Sequence, residues 1–195
     1  MNFISHSQAG QDAWIFDLIV KPEHLLSGTF LDVGCGDPVF ISNTYALEQL
    51  GWTGLLVDAD AQWLTPCEQK RSSPFLVADA TIVNWTACSP HMLFDYLSLD
   101  VDHVQVEALK NLLKHGVRFR AATIETDRYR FGDEPRRIIR ELLAAANYEL
   151  ICGDVSNLDQ PFEDWYVTKD DVALLARAEV YRCHGRNWHD ILAGK

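Results

Sequence analysis

The sequence predicts an α/β fold: a doubly wound, mostly parallel seven-stranded sheet with helices on both faces and an antiparallel final strand. Three observations lead there. Short apolar runs alternate with amphipathic segments at helical period along most of the chain. Glycine, proline and aspartate punctuate the joints between them. The last two strand-like runs are separated only by a polar loop, too short for a crossover helix.

In order, QDAWIFDLIV (11–20) places Trp14, Ile15, Leu18 and Ile19 on one helical face and is followed by Pro22. TFLDVG is the first strand, and SNTYALEQLGW a helix with Ser, Asn and Thr at its start and Gly51 at its end. GLLVDAD (54–60) is a second strand; AQWLTPCEQKR is a helix expected to break at Pro66. FLVADA and FDYLSLDVD (94–102) are strands three and four. VQVEALKNLLKHG then packs Val106, Leu109, Leu112 and Leu113 along one face. AATIETD (121–127) is strand five. The next helix opens at GDEP, with Asp133 as its expected cap and Pro135 in its first turn. YELICGDV and EDWYVTKD form the antiparallel pair. With 195 residues and no linker, one domain is expected over 1–195: an N-terminal helix or lid segment (1–22), a core (28–170) and a C-terminal extension (171–195).

Composition narrows the function. The formal net charge is −11, which works against a phosphate-binding surface, so no nucleic-acid partner is expected. No apolar run reaches the length of a membrane span, and MNFISHSQAGQD has neither the charged nor the apolar region of a secretory signal. Five scattered cysteines without CxxC spacing fit reduced thiols and a cytoplasmic location. Cys183, His184 and His189 lack the second half of a metal site and read as solvated tail residues.

Carboxylates collect where the strands end: Asp32 and Asp37, Asp58 and Asp60, Asp79, Asp100 and Asp102, Glu125 and Asp127. Aspartate favours loops and helix caps, which accounts for part of the set. Asp32 and Asp100 lie inside apolar strand patterns, where an unpaired carboxylate meets a desolvation cost. Ligands bind such sheets at the carboxyl ends of the strands. Gly34 and Gly36 allow a tight turn and close backbone approach, and Asp58 is placed to accept from both hydroxyls of a ribose. A dinucleotide fingerprint would need a third glycine where Val39 stands. The motif is DxGxG flanked by acids, which repels phosphates and suits a cationic nucleoside without them. S-adenosylmethionine has that chemistry.

These residues resemble the FkbM-like family of class I methyltransferases. The resemblance runs through SQAGQD (7–12), FLDVGCGDPVFISNTYALEQLGWTGLLVDAD (30–60), YLSLDVDHVQVEALKNL (96–112), ATIETD (122–127) and PFEDWYV (161–167). It implies a Rossmann-like fold and methyl transfer from S-adenosylmethionine to a hydroxyl of a small molecule, a sugar or secondary metabolite. It also implies a cofactor site of Asp32, Gly34, Cys35, Gly36, Asn43, Asp58, Ala59, Asp79, Ala80 and Asp100, with Asp79 beside the adenine. The chain departs from the family at Pro38, at Asp102-His103, and at Thr126, where a histidine is usual. Asp100 and Glu125 are the expected catalytic groups, with His103 either standing in for the missing base or serving as a capping or surface histidine. Asp100, Glu125 and Asp127 form a candidate Mg²⁺ site, the alternative being second-tier hydrogen bonding or helix capping. Gln8, Gln11 and Asp12 are polar enough to touch cofactor or substrate, although their spacing also suits a plain helix start.

Two other functions compete. One is a binding or regulatory protein that keeps the fold without the chemistry, motivated by Pro38 and Thr126. The other is an RNA or protein methyltransferase, motivated by the arginine-rich run RYRFGDEPRRIIR. Acceptor identity and oligomeric state are not legible in the sequence.

Overall fold

The computed structural model describes residues 3–89, 92–158 and 160–194. Strands β1 (Thr29–Val33), β2 (Thr53–Asp58), β3 (Phe75–Val77), β4 (Leu93–Leu99), β5 (Arg118–Glu125), β6 (Tyr148–Asn157), β7 (Gln160–Thr168) and β8 (Cys183–His184) form one sheet in the order β3-β2-β1-β4-β5-β7-β6-β8. β1 to β5 are mutually parallel, and β7 inserts antiparallel between β5 and β6. The winding reverses between β1 and β4, so their carboxyl ends diverge into a crevice.

Alternation along the strands builds a core on each face. Phe30, Leu56, Tyr96, Ala121 and Trp165 point to one side, where they meet Trp14, Ile15, Leu18 and Ile19 of the N-terminal helix. Leu31, Val33, Val57, Leu97 and Ile124 point to the other, against Leu109 and Leu112 of helix Gln105–Lys114 and Ile139 and Leu143 of helix Asp133–Ala145. These are the helical faces that the 3.6-residue period marks.

Four details differ from the sequence reading. An eighth strand is present: Cys183 and His184 pair in parallel with Cys152 and Gly153. They are therefore part of the sheet edge, not a solvated tail, although the His184 side chain itself is exposed. Pro66 does not break its helix. A 3-10 turn at Ala61–Trp63 leads into helix Leu64–Lys70, and Pro66 sits in that helix's first turn, where a missing N–H costs nothing. Asp133 is not a cap, because Gly132 holds that position and the Asp133 carboxylate binds Arg128 and Arg136 instead. The N-terminal helix widens to a π turn over Phe16–Val20 and continues through Pro22 to Glu23.

Candidate active site

The crevice is shaped by one glycine. Gly34 has φ +82°, and a Cβ there would lie 1.6 Å from the carbonyl oxygen of Asp100. The β1 loop thus crosses the end of β4 at a separation only glycine permits. Gly36, at φ +53°, has open space where a Cβ would stand. Two adjoining cavities flank this loop. One, about 470 Å³, is lined by Asp58, Ala59, Asp79, Ala80, Asp100 and His103, among others. The second, about 310 Å³, is lined by Asp32, Cys35, Asn43, Phe40 and Ile41; both share Gly34, Gly36, Trp63 and Asp100. Every residue expected to hold the cofactor therefore lines one of two adjoining spaces.

In the larger cavity, Asp58 closes β2. Its Oδ2 accepts from Gly36 N at 3.0 Å and its Oδ1 from Asp60 N at 2.8 Å. Each oxygen keeps a further lone pair for a ligand. Asp79 is exposed at the far wall, held by the amide and hydroxyl of Thr81.

In the smaller cavity, Asp32 is almost fully buried and accepts from Thr44 Oγ1 at 2.6 Å. Burial pushes its carboxyl above the usual range, while Thr44 and Arg71 oppose that rise. Arg71 also binds Glu48 at 2.6 Å, Thr44, and the carbonyl of Pro38. Pro38 thus still offers its acceptor to a fixed cation. Asn43 donates to Ser98 Oγ at 3.0 Å, but its carbonyl oxygen is buried with no donor. An orphaned acceptor beside a buried carboxylate is a receptor for N–H groups or a cation.

A second group of acids lies past Asp100. The Asp100 and Glu125 carboxyls hydrogen-bond each other. Burial, Asp100 and neighbouring acids hold the Glu125 proton on up to about 11, and burial raises Asp100 too. Oxygens of Asp102, Glu125 and Asp127 lie within 4.8 Å of one another. The group that converges differs from the expected trio: Asp102, not Asp100, meets Glu125 and Asp127, and Asp100 touches them only through Glu125. Asp102 and Asp127 both have positive φ and share Arg130 at 2.6 and 3.2 Å. Asp127 Oδ1 is buried, and hydrogen bonds from Glu125 and Tyr129 draw the Asp127 carboxyl down. Burial still raises that carboxyl, against the pull of Arg130.

His103 lines the larger cavity, and its ring lies 6.5 Å from that of Phe131. Thr126, at the position of the expected histidine, is buried and donates to the carbonyl of Phe162 at 3.0 Å. It fastens the end of β5 to β7 and holds no proton for transfer.

Glu163 escaped the sequence reading. Glu163 pairs with Glu125 across β5 and β7, is buried, and accepts from Gln11 Nε2 at 2.9 Å and from Trp165 Nε1. Burial, Asp100 and Asp164 push its carboxyl up to about 8, against those two donors. Its place inside an alternating strand next to a tryptophan offered a signal like that of Asp32 and Asp100. Gln8 contributes its carbonyl to Asn157, and Asp12 is buried under the N-terminal arm.

No family model matches this chain, and no curated protein matches it. Solved structures do. Magnesium protoporphyrin IX methyltransferase from Synechocystis, with S-adenosylmethionine bound, is 16% identical, with a TM-score of 0.58 over 82% of this chain and 78% of that one. A sugar N-methyltransferase from Streptoalloteichus is 14% identical, with a TM-score of 0.51 over 82% and 87%. An rRNA methylase from Streptococcus thermophilus is 15% identical, with a TM-score of 0.51 over 73% and 87%. The chain has the Rossmann-like fold shared by S-adenosylmethionine-dependent methyltransferases of diverse substrates.

Proposed function

We propose that the protein is an S-adenosylmethionine-dependent methyltransferase that methylates a hydroxyl group of a small molecule, as the FkbM-like resemblance implies. The observation that carries the cofactor reading is the adjoining pair of cavities around Gly34 and Gly36. They offer Asp58 to a ribose at one end, and Asp32 with the orphaned Asn43 oxygen to an ammonium at the other. No free cation faces either space among the described residues that line them, which suits a nucleoside without phosphates.

When bound, the cofactor supplies a methyl group on a sulfonium. The chain aligns the acceptor and manages its proton. Asp100 lies between the two cavities and is the group that would orient and deprotonate the hydroxyl. Glu125, kept neutral by burial and by its acidic neighbours, donates to Asp100 and fixes its orientation. A Mg²⁺ held by Asp102, Glu125 and Asp127 is the second reading, since three oxygens already converge there. It would require Glu125 to lose its proton, so the two readings predict opposite charge states.

The arginine run gives the nucleic-acid reading little support. Arg128, Arg130, Arg136, Arg137 and Arg140 are each engaged by Asp or Glu. We infer a small-molecule acceptor and a cytoplasmic enzyme. No helix of the described residues is long and apolar enough to cross a membrane. Turnover with S-adenosylmethionine and a panel of sugars and polyols tests the assignment. Cofactor binding with no turnover on any acceptor would favour the non-catalytic alternative.

A further inference from the structure

The fold gathers four of the five cysteines, scattered in the sequence, into two pairs, and all five are free thiols. Cys152 and Cys183 are register partners across β6 and β8. Cys35 and Cys67 meet at the crevice. Cys35 stands between Gly34 and Gly36 in the loop that follows β1, half-buried, and lines the smaller cavity. Cys67 is buried in helix Leu64–Lys70, and its Sγ lies 3.9 Å from the carbonyl oxygen of Gly36, the residue after Cys35. Both side chains pack into one buried cluster, and the two thiols hydrogen-bond each other. Arg71, at the end of the same helix, holds the loop a second time by donating to the Pro38 carbonyl at 3.2 Å.

We propose that Cys35 and Cys67 are a redox-sensitive dithiol, closed to a disulfide by a hydroperoxide while the smaller cavity is empty, and that closure disables the crevice. The cavity gives a molecule of peroxide size access to Cys35. The Cys35 sulfur attacks one peroxide oxygen and the O–O bond breaks. The Cys35 proton leaves on the departing oxygen, as water from hydrogen peroxide or as an alcohol from an organic hydroperoxide. The Cys67 sulfur then displaces the sulfenic hydroxyl, which leaves with the Cys67 proton as water. Two thiols are oxidised and one peroxide is reduced. A covalent bond draws the sulfurs closer than two thiols in contact can stand. That movement falls between Gly34, which has no slack against the Asp100 carbonyl, and Gly36, whose amide is held by Asp58. The loop must shift where the cofactor is expected to lie, so oxidation and nucleoside binding oppose each other by linkage. This last step rests on the cofactor reading proposed above.

Peroxide treatment, alkylation of the remaining thiols and peptide mass mapping read the pair directly. The wild type should yield two peptides joined through Cys35 and Cys67, lighter by two hydrogens than their sum and released by dithiothreitol. In Cys67→Ser, Cys35 should run on to sulfinic acid for want of a partner. Cysteines 35 and 67 that stay alkylatable, or a wild-type Cys35 that reaches sulfinic acid without the link, would overturn the proposal, and neither result needs a variant to fold. With saturating S-adenosylhomocysteine the link should form at least about fivefold more slowly, and linked protein should bind that nucleoside at least about fivefold more weakly. Binding that leaves the rate unchanged, or linked protein that binds as tightly as reduced protein, overturns the switch. If the nucleoside does not bind at all, the cofactor reading fails and the mass map still decides the dithiol.

Discussion

Gly34 shows how far one residue can determine a site. Its positive φ and its 1.6 Å Cβ clash with the Asp100 carbonyl leave no room for alanine, because the obstacle is backbone and cannot turn aside. Gly34→Ala should lose folded yield or melt well below wild type, whereas Gly36→Ala, with open space around it, should fold and lose cofactor affinity. Thermal melts and calorimetry on both variants check this contrast. The acids make a second prediction. Glu163 has a folded pKa raised to about 8 from an unfolded value near 4.5. Over that interval the folded state holds more protons than the unfolded one, so stability from this group is present at low pH and declines as pH rises toward 8. Glu163→Gln should flatten that decline in urea melts taken from pH 5 to 8; an unchanged slope would refute it. The individual acids at the strand ends were legible because a carboxylate in an apolar run calls for a partner or a ligand. Asp100 and Glu125 were grouped as neighbours at adjacent strand ends; the hydrogen bond between their carboxyls was not legible, since it depends on how β4 and β5 register.

Among elements, the loop between β1 and β2 has its own anchor. Arg71, at the end of helix Leu64–Lys70, reaches the Pro38 carbonyl, Ser42, Thr44 and Glu48, and its guanidinium lies near the Phe30 and Tyr45 rings. The Arg71–Glu48 pair is buried on both sides. Removing one partner leaves an uncompensated buried charge, so Arg71→Ala should cost about 3–5 kcal/mol. It should also weaken cofactor binding, since Thr44 then releases its hold beside Asp32. Denaturant melts and calorimetry measure both losses. The helices and strands themselves followed from periodicity, because each buries one face. Arg71 read only as the polar end of a helix, as a cation 23 residues from its carboxylate leaves no periodic trace. β8 escaped for a similar reason: two residues are too few to alternate. Pro66 and Asp133 misled because their meaning changes within one helical turn.

At the scale of the whole molecule, sheet order decides what the acids mean. Reversal between β1 and β4 places Asp32, Asp58 and Asp100 on one crevice, and β7 brings Glu163 behind it. The resemblance had already grouped most of these positions, but the two adjoining cavities came from the fold. A required metal would show here: chelation should abolish methyl transfer, with Mg²⁺ or Mn²⁺ restoring it. The neutral Glu125 account predicts activity that withstands chelation and falls in Asp100→Asn. The central claim is that this crevice holds a phosphate-free adenosine cofactor through Asp58. Calorimetric titration with S-adenosylhomocysteine, against NAD and against Asp58→Ala, tests it most directly. The account predicts binding at least about tenfold tighter than NAD, and a loss of about 1.5–3 kcal/mol in Asp58→Ala, as for hydrogen bonds to a charged group. A preference for NAD, or an Asp58→Ala variant that binds as tightly as wild type, would contradict it.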